Sequence, residues 1–143
     1  MTVQVLAMML RPLRRWRADQ DGASAVEFAL VAPLFVGLMM AICEFAFAFF
    51  TLISAQQAVW SEARQLALGR ITTTVAHDAV VAALPRWAQT RATVTADKDP
   101  ANSTRYLVTA AIPLISAAPT SFFASLYGSR SMTASATLPQ EIP

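Results

Sequence analysis

FALVAPLFVGLMMAICEFAFAFFTLI, residues Phe28–Ile53, is the stretch that decides the fold. Its 26 residues carry one charge, Glu44, and are otherwise apolar or small. A bilayer's hydrocarbon core is ~30 Å thick and takes about 20 such residues in a helix. The segment is long enough to span. Over the whole 143-residue chain apolar residues make up 55% and charged residues 14%, against roughly 25% charged in an ordinary soluble domain. That deficit excludes disorder and argues against a soluble globule. The chain is also far short of the ~250 residues of a typical barrel enzyme.

Working outward on the N-terminal side, the formal net charge of +2 sits at one end. Residues 1–22 hold Arg11, Arg14, Arg15 and Arg17 against Asp19 and Asp21, while residues 23–143 hold seven basic and seven acidic side chains. The body of the chain therefore has no basic footprint for nucleic acid. Four arginines precede the apolar run and the next basic residue is Arg64. By the positive-inside rule the N-terminus is cytoplasmic and the C-terminal part lies across the membrane. A secretory signal puts basic residues first and a shorter apolar stretch second, closed by an Ala-x-Ala-like site. Here the weakly apolar Val3–Leu10 comes before the arginines, and no such site closes the long run cleanly. The lone Cys43 excludes an intrachain disulfide.

On the C-terminal side, Gln56, Gln57, Ala58, Glu62, Ala63, Arg64, Leu66 and Leu68 are mostly strong helix formers, and Gly69 is the first plausible stop. A helix over 23–68 has 46 residues and a length of roughly 69 Å, about twice what a bilayer needs, so half of it protrudes. Pro33 removes one backbone hydrogen bond and can kink the first half. Beyond it, Thr74 can cap a short helix through Leu84, followed by Pro85. Strand-like alternation marks Arg91–Ala96 and Ser131–Leu138. Between them, after the turn-rich Asp97–Asn102, Arg105–Ile112 is apolar on both faces, as the centre of a three-stranded sheet should be. Phe122, Phe123, Leu126 and Tyr127 recur at helical spacing and could cover one face. The fold class is α+β: a long transmembrane helix, then a small three-stranded domain with short helices. Such a domain has a marginal core without disulfide or metal, and it should lean on the protruding helix or on a partner. The expected division is a leader over 1–22, the long helix over 23–70 and the small domain over 71–143.

The chemistry concentrates in Asp21-Gly-Ala-Ser-Ala-Val-Glu27-Phe28, where the basic leader meets the helix. Gly22 offers a backbone that a protease can hold extended in a tight cleft. Cutting after it frees the amine of Ala23, and Glu27 becomes the fifth residue of the product. An unpaired carboxylate costs up to ~3 kcal/mol at the membrane centre. A new α-amine on a neighbouring, staggered helix would pair with it and set the stagger.

This Gly-x-x-x-x-Glu pattern between a basic leader and a hydrophobic helix resembles the processing signature of type IV pilins and pseudopilins. The fuller run Gly22–Pro33, with Ile42-Cys-Glu-Phe45 and the later Gln56–Arg64 stretch, resembles the TadE-like proteins of tight-adherence (Tad, or Flp) pilus systems. The resemblance covers about residues 19–70. It implies a pilin-like fold and cleavage by a prepilin peptidase between Gly22 and Ala23, with Glu27 and Phe28 completing the processing and assembly signal. Flp major pilins usually carry Tyr after the glutamate and lack a C-terminal domain; Phe28 and residues 71–143 depart from that. The resemblance thus implies a minor pseudopilin, TadE or its sibling TadF, acting in pilus assembly or initiation. Implied partners are the peptidase, sibling pseudopilins, Flp pilin, the inner-membrane assembly platform and membrane lipid. The rival reading is an uncleaved single-pass inner-membrane adaptor with a periplasmic partner-binding domain.

Glu44 lies 17 residues after Glu27, about 26 Å along a helix, and some 260° around it. It is read either as reaching interfacial water at the far boundary or as an intramembrane contact to a basic group on a partner helix. Elsewhere the residues argue against enzyme chemistry. His77 is the only histidine and the lone Cys43 lies in the apolar run, so no metal set can be assembled, and no cofactor is expected. Ser61, His77 and Asp78 are the residue types of a hydrolytic triad but lack a Gly-x-Ser-x-Gly elbow. The four glycines form no phosphate loop.

Overall fold

The computed structural model describes residues 20–120 and 122–141; residues 1–19, with the four arginines of the expected leader, lie outside them. They fall into two compact units that divide between Met39 and Met40. One helix, α1 (Gln20–Ala67), contributes to both, and Pro33 lies inside it without ending it. In the first unit the large side chains are bare: Val26, Phe28, Leu30 and Leu34 are all exposed. No described residue of that unit covers them, which is compatible with a lipid-facing helix. The helix Gly22–Ala67 is long and apolar enough to cross a membrane.

In the second unit α1 acquires a buried stripe. Ala55, Val59, Ala63 and Leu66 are buried at spacings of four, four and three, one face of a 3.6-residue helix. The helix stops in a Schellman arrangement. Gly69 N–H donates to the Leu66 carbonyl at 2.9 Å and Arg70 N–H to Gln65 at 3.0 Å, with Gly69 at φ +66°, a conformation that favours glycine. The C-terminal tail adds a further donor, Glu141 N–H to the Ala67 carbonyl at 2.9 Å. Helix α2 (Thr73–Ala83) follows, its first turn capped by the Thr72 side chain. The cap is thus Thr72, two residues before the Thr74 expected from sequence. A single turn, α3 (Arg86–Gln89), follows Pro85, and Gln89 Nε2 donates to the Leu84 carbonyl at 2.8 Å.

Strands β1 (Thr93–Asp99), β2 (Asn102–Pro113) and β3 (Ser131–Pro139) form an antiparallel sheet in the order β1-β2-β3. The two-faced strand is therefore the centre, as its pattern predicts. Register aligns Val94 with Ala110 and Ala134, and Ala96 with Val108 and Ala136. These side chains meet the α1 stripe, Ala76 and Val80 of α2, Leu84 and Ala88 in one core. Many contacts are alanine, so helix and sheet backbones come close. The sheet does lean on α1, whose second half is part of its core.

Two boundaries differ from expectation. The segment Asp97–Asn102 is not a loop: β1 runs to Asp99, β2 starts at Asn102, and Pro100-Ala101 alone turns the chain, with a bulge at Lys98/Asp99. Asp97 and Lys98 are exposed strand residues rather than turn residues. Nor does the Phe122–Tyr127 segment cover the sheet. It lies in the connection between β2 and β3, which holds a 3-10 turn (Leu114–Ser116) and one turn of helix, α4 (Ala124–Tyr127). Phe122 and Leu126 are 59% and 70% exposed; the face they were expected to cover is filled by α1 and α2.

Candidate functional site

The expected processing residues occupy the first turns of α1. Gly22 is helical and exposed, and a Cβ built there meets nothing within 4 Å. No packing in the described chain requires glycine, although glycine in a helix costs roughly 0.5–1 kcal/mol relative to alanine. Ala23, Glu27 and Phe28 are exposed too, and no described residue hydrogen-bonds the Glu27 carboxylate.

Glu44 stands in contrast, with 1% of its surface exposed. Its carboxylate accepts a hydrogen bond from the Tyr127 hydroxyl at 3.0 Å and from the Phe123 N–H at 3.3 Å. Both donors belong to the β2–β3 connection, some 80 residues along the chain. Seven residues beyond Glu44 on the same helix face, the fully buried Thr51 hydroxyl donates to the Ala117 carbonyl at 2.7 Å. Trp87 Nε1 donates to both Thr51 Oγ1 and the Ala117 carbonyl at 3.2 Å. The Trp87 ring meets Phe47 edge-on, centroids 5.8 Å apart. The connection is thus fastened to α1 at two points, two helical turns apart, each by buried or half-buried polar groups.

Desolvation by burial, then the hydrogen bond to Glu44 and that carboxylate's charge, hold the Tyr127 phenol above its ordinary value. The phenol is therefore a neutral donor at physiological pH. The sequence offered water or a basic group on another helix as Glu44's surroundings; within the chain its partners are a phenol and a backbone amide. A sequence signal for this exists. Stepping back from Ala55 at helical spacing lands on Thr51, Ala48 and Glu44, so Glu44 begins the core stripe.

Ser61, His77 and Asp78 are not brought into a triad. His77 Nδ1 and Asp78 Oδ1 are 3.0 Å apart on the surface of α2, with both side chains exposed, and such a pair contributes little. Ser61 lies in an open groove of about 570 Å³ that His77 does not line. Among the described residues no group of three or more His, Cys, Asp or Glu could hold a metal ion.

Residues 22–60 match the family model for TadE-like protein. The matched span opens on Gly22, takes in Glu27, Phe28, Pro33 and Glu44, and ends within the buried stripe of α1. The resemblance seen in the sequence is thus supported over these residues, which make up about a quarter of the chain. No curated protein and no solved structure matches the chain significantly.

Proposed function

We propose that this TadE-like chain is a minor pseudopilin of a Tad pilus, held in the bacterial inner membrane with its N-terminus cytoplasmic and residues 71–143 periplasmic, and cleaved by a prepilin peptidase between Gly22 and Ala23. The observation that carries the reading is the family match opening at Gly22, with Glu27 five residues on and a bare apolar helix after it. Cleavage frees the Ala23 amine. In a bundle of staggered helices that amine and Glu27 of an adjacent subunit neutralise each other, and each removes a charge that lipid penalises. Subunits leave the bilayer by exchanging lipid for helix contacts, and the folded outer unit meets sibling pseudopilins, Flp pilin and the assembly platform. Phe28 follows the acid as part of the same signal.

Two features support the reading. Glycine at position 22 has no packing role among the described residues, which fits a use in processing rather than in the fold. The exposed Glu27 has no partner among the described residues, whereas the other acid of the segment is enclosed. The test is the intact mass of the membrane-extracted protein, with and without the peptidase. Mature protein should begin at Ala23, and Gly22→Phe should block this while leaving the far unit folded. Protein beginning at Met1 in cells with active peptidase would replace the reading with an uncleaved membrane adaptor.

A further inference from the structure

We propose that the β2–β3 connection is a second membrane contact: the turn carrying Phe122 and Leu126 seats in the interface of the bilayer leaflet where α1 emerges. The proposal rests on α1 spanning the membrane.

Three observations carry it. The first is composition. No Asp, Glu, Lys, Arg or His occurs between Arg105 and Arg130, so the connection is uncharged throughout and ends on an exposed arginine. The second is how the turn is oriented. Phe123 N–H and the Tyr127 hydroxyl are directed to Glu44, while their neighbours Phe122 and Leu126, four residues apart, are 59% and 70% exposed. A large aromatic and a large aliphatic side chain are thus presented together on a turn that is itself fastened down. The third is level. Counted from Phe28, where the apolar run opens, the ~30 Å of hydrocarbon in a bilayer takes about 20 residues of helix and ends near Ala48. The fastenings at Glu44 and Thr51 therefore bracket the level at which the helix leaves the hydrocarbon.

At that level other faces of α1 are still apolar and bare, with Phe45 at 53% and Phe49 at 62% exposed. Phe122 and Leu126 extend this lipid-facing surface sideways onto the folded unit. Lipid is favoured over a protein partner by that continuity and by the lack of any charge to specify a partner. Arg130 can lay its stem along the apolar surface and keep its head among the phosphates. The arrangement also shields Glu44 from acyl chains, because the turn that seats in the interface is the one that covers the carboxylate. Anchored at two points, the outer unit cannot swivel freely about the helix.

The test uses the full chain in phosphatidylcholine/phosphatidylglycerol vesicles, with Cys43→Ala as background and an environment-sensitive fluorophore on one introduced cysteine. Three positions are compared: L126C on the turn, L38C inside the span and T137C on the exposed side of β3. A nitroxide carried high on the lipid acyl chain is the quencher. L126C should show a blue-shifted emission and strong quenching, L38C should be apolar and accessible to deep nitroxide, and T137C should show neither. Quenching absent at L126C but present at L38C overturns the second contact and leaves the span intact. Quenching absent at both overturns the span, and the proposal with it. A blue shift at L126C without quenching, growing with protein-to-lipid ratio, means that a second copy covers the turn and also overturns the proposal.

Discussion

Replacing Tyr127 with Phe removes one oxygen and tests whether the turn is held to α1 by Glu44. The hydroxyl donates to a buried carboxylate at 3.0 Å, and hydrogen bonds to charged groups contribute roughly 1.5–3 kcal/mol net. Tyr127 is half-buried, which selects the lower end, about 1.5 kcal/mol. Each 1.4 kcal/mol is a factor of ten in an equilibrium, so opening of the turn should become roughly tenfold easier. Amide hydrogen exchange reads this directly, because the Phe123 N–H is the other donor to the same carboxylate. In the full chain in detergent, the Phe123 amide should be protected, and Tyr127→Phe should speed its exchange about tenfold. Val108, at the centre of the sheet, should exchange at its original rate, since the opening is local. Equal rates at Phe123 in the two proteins, with Val108 unchanged, would refute the fastening. Faster exchange at both positions would mean that the connection and the sheet open as one unit.

The same contact predicts a titration. Phenol absorbance against pH should show Tyr127 titrating above the ordinary range, and Tyr127→Phe should abolish that component. Because the folded value is raised, the stabilisation is fully present below the unfolded value near 10 and is lost as pH rises through the folded one. Ile112→Ala empties a position only 1% exposed and should destabilise the outer unit by about 2–5 kcal/mol, visible as a lower urea midpoint. Gly69→Ala forces a side chain onto φ +66° and should cost on the order of 1–2 kcal/mol, again read in urea. Glu27→Gln should leave cleavage and that urea midpoint unaltered but reduce incorporation into sheared fibres; normal incorporation would contradict the pairing role.

How much of this was legible in the sequence depends on which signal each residue carries. The long helix was, because Phe28–Ile53 has length and composition that few other structures permit. The sheet was legible from alternation at Val94 and Ala96, and at Ala134 and Ala136, with the two-faced β2 identifying its own place. The hairpin is hidden because Asp97 and Asp99 are turn formers by type, yet a strand with one solvent-facing side accommodates them and Lys98. Phe122, Phe123, Leu126 and Tyr127 recur at helical spacing and look like one covering face. The structure separates them, two facing away and two fastening to Glu44. The true cover of the sheet includes the stripe Ala55, Val59, Ala63 and Leu66, and alanine gives little hydropathy contrast. Partners some 80 residues apart leave no local pattern at all, so Glu44's position on the stripe was readable and its donors were not.

The two acids of the hydrophobic segment are thereby given opposite problems. A carboxylate near lipid needs donors, and the chain supplies Glu44 with a phenol and an amide from its own connection. Those donors can be satisfied before any other subunit is met. Glu44 is thus a folding element, and removing it orphans two donors within the same molecule. Glu27 receives no such provision from the described chain and stands exposed on α1. Its donor must come from the leader, from the membrane surface or from another polypeptide. Cleavage after Gly22 would remove the first of these and create a primary amine at the start of each neighbouring helix. On the proposed reading the two carboxylates would act at different times, Glu44 when the outer unit closes and Glu27 when subunits meet. Substituting Glu44 should be felt in the isolated protein, and substituting Glu27 only in the assembly.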